Sequence, residues 1–122
     1  MHWVWVALGG AFGSVLRHYL QQRMAGIAFP WGTLTVNLIG SALIGAMAGA
    51  WAATAPPHAL RALVMVGILG GFTTFSAFTL ENLQLVRNGH ALLALANMAI
   101  SNVLGIGLAA AGYFLARAVA RG

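Results

Sequence analysis

Six arginines and one glutamate, Glu81, are the only formal charges in a chain of 122 residues. So few charges cannot clothe a water-soluble globule, because an ordinary soluble domain carries roughly 25% charged residues. Here the charged share is 6% and the hydrophobic share 61%, so lipid must be the solvent for most of the chain. The length suits one domain. Cysteine is absent, which excludes disulfide and zinc-thiolate frameworks. A net charge of +5 would suggest nucleic acid in a soluble protein. These arginines stand singly between apolar runs, however, and form no basic patch, so nucleic-acid binding is not expected.

A bilayer core takes about 20 apolar residues in a helix. Four candidate spans follow, at about Trp3–Gln22, Trp31–Ala53, Ala59–Val86 and Ala91–Val119. Phe29-Pro30, Ala55-Pro56-Pro57-His58 and Asn88-Gly89 punctuate them. The opening Met1-His2-Trp3-Val4-Trp5 has no basic region or cleavage site and reads as a retained first helix. Loops of a few residues make neighbouring helices antiparallel and leave no soluble domain. The expected class is an all-α membrane protein, a single multi-pass domain.

Small residues recur every fourth position: Gly9 and Gly13, Gly67 and Gly71, Ser41, Gly45 and Gly49, and Ser101, Gly105 and Ala109. That interval lets helix backbones approach closely in lipid, and for most of these glycines packing is the preferred role. The third span differs. Gly70-Gly71-Phe72-Thr73-Thr74-Phe75-Ser76 lies at its middle. Each glycine costs a helix roughly 1 kcal/mol relative to alanine, and threonine hydroxyls compete for the backbone. The third helix is therefore expected to break near the bilayer midplane, where irregular backbone survives only beside protein or a water-filled cavity.

Four spans put Arg61, Arg117 and Arg121 on one side of the membrane and Arg17, Arg23 and Arg87 on the other. Orientation normally follows an excess of basic residues on the cytoplasmic side, and here there is none. Such a chain can insert both ways and pair with an inverted copy. Four thin helices hardly enclose a pore alone, so an antiparallel, dual-topology homodimer is expected.

Enzyme chemistry needs paired carboxylates, a nucleophile with its base, or a metal cluster. One carboxylate, no thiol, and histidines scattered at span ends (His2, His18, His58, His90) supply none of these. What remains are neutral polar groups. Thr33, Asn37 and Ser41 share one helical face, as do Asn97 and Ser101, with Asn102 beside them; Ser76 and Thr79 share another, and Phe75 and Phe78 lie one turn apart. Amides and hydroxyls donate hydrogen bonds to anions, and aromatic ring edges are electropositive. The pattern suits a small-anion pathway, although each polar residue taken singly also serves as interhelical glue.

The segments Gly-Gly-Phe-Thr-Thr-Phe-Ser-Ala-Phe-Thr-Leu-Glu at 70–81, Gly-Thr-Leu-Thr-Val-Asn-Leu-Ile-Gly at 32–40 and Gly-Gly-Ala-Phe-Gly-Ser-Val-Leu-Arg at 9–17 resemble the signatures of the Fluc (CrcB) fluoride channels. The fourth span, with Asn97 and Ser101 before Gly105, is similar too. The resemblance implies a fluoride-selective channel that passively exports fluoride, built as an antiparallel homodimer with two pores. It implies that Phe75 and Phe78 are the pore phenylalanines and that Asn37, Ser76, Thr79 and Ser101 belong to the polar lining. Arg17 would sit in a vestibule, and carbonyls of Gly70 and Thr73 from both copies would hold a structural Na+ at the dimer centre. Glu81 falls on the family's usual acidic position, whereas His18 stands where the family often has an aromatic residue. Two rivals remain at this stage: a small proton-coupled exporter, for which the first span lacks an acid, and a non-conducting scaffold.

Overall fold

The structure, a computed structural model, describes residues 2–26 and 28–122. Helix α1 runs over His2–Arg23 and α2 over Trp31–Ala50. Helix α3 opens with His58–Arg61, widens into π-type turns over Ala62–Ile68 and returns to α geometry over Leu69–Phe72. Helix α4 spans Phe75–Arg87 and α5 spans Ala91–Arg121. Among the described residues three segments are long and apolar enough to cross a bilayer: Trp31–Ala50, His58–Arg87 and Ala91–Arg121. They make this a multi-pass membrane protein. Helix α1 has 22 residues but is not among the three, since its last turns carry Arg17, His18, Gln21, Gln22 and Arg23.

Helix ends follow local chemistry. Pro57 precedes α3 at φ −55° and ψ 145°, a place where the missing N–H of proline is no loss. Helix α2 stops at Ala50, inside the apolar run that continues to Ala53: the Trp51 N–H makes the last helical bond, to the Met47 carbonyl at 2.9 Å, and the Ala52 N–H turns back to Gly49 at 3.3 Å. The Asn88-Gly89 turn closes α4 as its sequence predicts. Gly89 takes φ +82°, His90 N–H donates to the Leu85 carbonyl at 2.7 Å and Gly89 N–H to that of Val86 at 3.1 Å. This double return is the Schellman arrangement, and it needs a residue free to enter the left-handed region.

Two helix pairs form the body, α1 with α3 and α2 with α5. In both, glycine brings backbone onto backbone. A Cβ on Gly9 would collide with the Leu63 carbonyl and one on Gly13 with that of Ile68. Gly45 abuts Ala109 and Gly49 abuts Tyr113 in the same way, and Gly112 returns the contact against Ala42. The four-residue spacing is thus a packing device, as expected for helices associating in lipid. The buried apolar core is small (Leu34, Val36, Ala62, Leu69, Phe72, Leu85 and Ala94), while Trp3, Val103, Leu92 and Val119 point outward. Thr33, Asn82 and Asn97 are buried with this core, and an apolar exterior is the arrangement that a lipid solvent favours.

The interruption expected in the third segment falls on two threonines. Thr73 takes φ −91°, ψ 157° and Thr74 takes φ −148°, ψ 122°, both extended. Gly70 and Gly71 stay helical. Packing explains why: Gly71 lies against the Gly10 backbone, where a Cβ would come within 2.7 Å of the Gly10 carbonyl oxygen. Close approach to α1 therefore offsets the poor helix propensity of glycine there.

Candidate functional site

An extended pair of residues inside a helical bundle leaves backbone groups to be satisfied. Asn37, on α2, does this with both ends of its amide. Its Oδ1 accepts from the Thr74 N–H at 2.8 Å, and its Nδ2 donates to the Thr74 carbonyl at 3.0 Å. The side chain thus pairs with the broken backbone as a neighbouring strand would. Gly40, one turn further along α2, makes the approach possible, since a Cβ there would collide with Thr73 Cγ2. On the far side of the break the Thr74 hydroxyl caps α4, accepting from the Ala77 N–H at 3.2 Å. Threonine is among the preferred residues at such a position.

The C-terminal end of α3 is held from the opposite face. Arg17 Nε donates to the Gly71 carbonyl at 2.9 Å, placing a cation where the helix ends. Gln21 lies alongside, its Nε2 donating to the buried Thr33 hydroxyl at 3.0 Å. Because the Thr74 N–H is engaged by Asn37, it is not available to the Gly70 carbonyl, its partner in a continued helix. Gly70 itself meets open space, with nothing within 4 Å of where a Cβ would stand.

A groove of about 320 Å³ opens beside the break. Asn37 and Ser41 of α2, Gly70 of α3, Thr73 and Thr74 of the break, Phe75 and Phe78 of α4, and Ser101 and Asn102 of α5 are among its walls. No formal charge lines it. The Phe75 and Phe78 rings stand 5.9 Å apart between centroids. Of the residues singled out from sequence, the groove gathers Asn37, Phe75, Phe78 and Ser101, together with Gly70 and Thr73. Ser76 and Thr79 lie on an exposed part of α4 outside its walls. Ser76 Oγ sits 3.3 Å from Thr74 Oγ1, and the Thr79 hydroxyl donates within its own helix, to the carbonyls of Phe75 and Ser76. Arg17 is not among the groove walls and lies at the helix end that it caps.

Hydroxyl protons in the groove point into the protein. Ser41 donates to the Asn37 carbonyl at 2.7 Å, Thr73 to that of Leu69 at 3.1 Å, and Ser101 to Asn97 Oδ1 at 3.3 Å. Asn37 keeps its second amide proton without a partner among the described residues. Glu81 lies away from the groove, near Pro30, Gln84 and Asn88, and its Oε1 is enclosed without a hydrogen-bond partner among the described residues.

Sequence reasoning missed Thr74 as the cap of α4, although a hydroxyl residue directly before an apolar helical run is a recognisable start signal. It also missed the pairing of Asn97 with Asn82, 15 positions apart, for which no local signal exists.

Comparison with known proteins identifies the family. Residues 4–113 match the family described as CrcB-like protein, Camphor Resistance (CrcB). A protein of Magnetococcus marinus named fluoride-specific ion channel FluC is 50% identical over 108 residues, covering 85% of this chain and 87% of its own. Proteins of the same name from Novosphingobium aromaticivorans and Rhizobium johnstonii are 43% and 45% identical, the first over 96% of this chain and 94% of its own, the second over 94% and 95%. These relatives are named as ion channels and not as enzymes, and the chain belongs to the CrcB-like family.

Proposed function

We propose that this protein is a fluoride-selective channel through which fluoride leaves the cell passively across the inner membrane. The observation that carries this reading is the groove beside the break: free of formal charge among the described residues, lined by neutral polar groups between apolar ones, with Asn37 bonded to the broken backbone in its wall. A small, hard anion gives up its water only to strong hydrogen-bond donors, and a charged site would hold it too tightly to pass it on. Asn37 has one amide proton to offer, the edges of Phe75 and Phe78 are electropositive, and the serine and threonine hydroxyls can turn. Ser76 and Thr79 belong to this pathway only where it continues beyond the groove along α4. Arg17 draws anions toward the mouth by long-range attraction while it caps α3.

The channel is an antiparallel, dual-topology homodimer in membrane lipid, with α1 as a fourth span. Its 22 residues give about 33 Å of helix, enough for a hydrocarbon core. Pairing with an inverted copy is consistent with the even split of arginines and covers part of the apolar exterior. The carbonyls of Gly70 and Thr73 suit a structural Na+ between the two copies. Gly70 has lost its helical N–H partner to Asn37 and faces open space, and hard oxygen donors are what such a cation prefers. A bound sodium ion would neutralise these carbonyls and tie the two breaks together.

The test is ion efflux from liposomes containing the purified protein. Fluoride leaves rapidly and chloride far more slowly if the reading holds. Equal rates for the two ions, or no flux at all, would sink it, and the second result would favour a scaffold.

A further inference from the structure

Three groove hydroxyls donate inward, and Ser101 differs from the other two. Ser41 and Thr73 donate to carbonyls of their own helices, so a turn of the side chain releases their protons and disturbs nothing else. The Ser101 proton goes instead to a side chain that is itself locked. Asn97 is fully buried, where an amide must find partners. Its Nδ2 donates to Asn82 Oδ1 at 2.8 Å, and its Oδ1 accepts from Ser101. Asn82 is nearly as enclosed, at 7% exposure. The chain runs one way, from Ser101 to Asn97 to Asn82, and the groove meets the lone pairs of Ser101.

One rearrangement reverses this chain without losing a hydrogen bond. Both amides turn over, so that Asn82 Nδ2 donates to Asn97 Oδ1 and Asn97 Nδ2 donates to Ser101 Oγ. The hydroxyl proton is then free for the groove. Amide oxygen and nitrogen are nearly equal in size, so the exchange needs no repacking. We propose that Asn97, backed by Asn82, is a positioning residue that sets whether Ser101 offers the groove a proton or lone pairs, and that an anion at Ser101 draws the chain into its reversed sense. This rests on the reading of the groove as an anion path.

The test is a double-mutant cycle on fluoride efflux from liposomes, using Ser101→Ala, Asn97→Leu and the pair together. Ser101→Ala removes a hydrogen bond to the anion itself and should slow efflux about tenfold or more. Asn97→Leu keeps the hydroxyl but removes the amide that turns its proton to the groove, and should slow efflux by a smaller factor. If Asn97 acts through Ser101, the double variant is no slower than the slower single one. A purely structural role for Asn97 would lower the active fraction independently, and the two losses would multiply. That multiplication, or a normal rate for Asn97→Leu, overturns the inference and leaves the channel reading standing. A normal rate for Ser101→Ala overturns the inference together with the place given to Ser101 on the anion path. If Asn97→Leu does not assemble, Asn82→Leu removes the anchor of the amide and enters the same cycle with the same two outcomes.

Discussion

The two halves of the third segment share one strand of sequence and little else. Helix α3 lies against α1 along its length, with Gly9, Gly13, Gly67 and Gly71 bringing main chains together. Helix α4 has no such seam, and Leu80, Leu83 and Val86 are each more than half exposed. The contrast is sharpest at the junction. Phe72 is 4% exposed and Phe75 is 75% exposed, yet residues three apart in an unbroken helix lie on neighbouring parts of one face. Two extended threonines separate a ring that belongs to the core from one that belongs to the groove. The packed half fixes where the break lies, and the loose half carries the groups that the break puts to use.

Substitutions can break that division in order of expected size. Gly13→Val, in the packed half, drives a side chain into the Ile68 carbonyl, a backbone group that cannot step aside. Overpacking of this kind costs about 1–3 kcal/mol or more, and a monodisperse peak in detergent gel filtration should disappear. Gly70→Ala, with open space around it, should leave the fold of each protomer intact. Survival of Gly13→Val with normal assembly would show that the seam is not what anchors α3.

Asn37→Leu comes next, because it leaves both the N–H and the carbonyl of Thr74 without their partner. Each buried unpaired group costs about 1–3 kcal/mol, so thermal stability should fall and fluoride efflux should drop at least tenfold. Asn37→Asp keeps an acceptor for the Thr74 N–H and should fall between the two. Equal stability of all three proteins would mean that water satisfies the break and Asn37 does not hold it. The smallest effect belongs to Glu81→Gln. Its carboxylate lies outside the groove, so efflux in vesicles should persist at close to the normal rate. Complete loss of flux, with a proton-coupled phenotype, would point to an exporter instead.

Much of this architecture is legible in the residues, for reasons that can be named. Scarcity of charge requires lipid, and punctuation by proline and glycine marks the starts of α2 and α3 and the end of α4. The four-residue spacing of small side chains foretells the seams. The Gly-Gly-Phe-Thr-Thr-Phe run points to a break but not to its place in the run. Propensity alone puts weight on the glycines, and only the contact of Gly71 with Gly10 shows why they remain helical. Asn37 stands out as a polar residue in an apolar helix, but that its partner is the backbone of Thr74, 37 positions away, depends on the fold. The same holds for Gln21 with Thr33 and for Asn82 with Asn97. Ser76 and Thr79 show the opposite case: the right residue types, on the right helix, yet outside the groove walls.

Phe75 stands where the two halves join, in the wall of the proposed anion path, so its replacement is the most direct trial. Phe75→Ile keeps apolar bulk and removes the ring edge, and because the residue is exposed the fold should not depend on it. Fluoride efflux measured beside gel filtration should show flux reduced tenfold or more with assembly unchanged. Undiminished flux from an intact protein would mean that the exposed ring beyond the break takes no part in moving the ion.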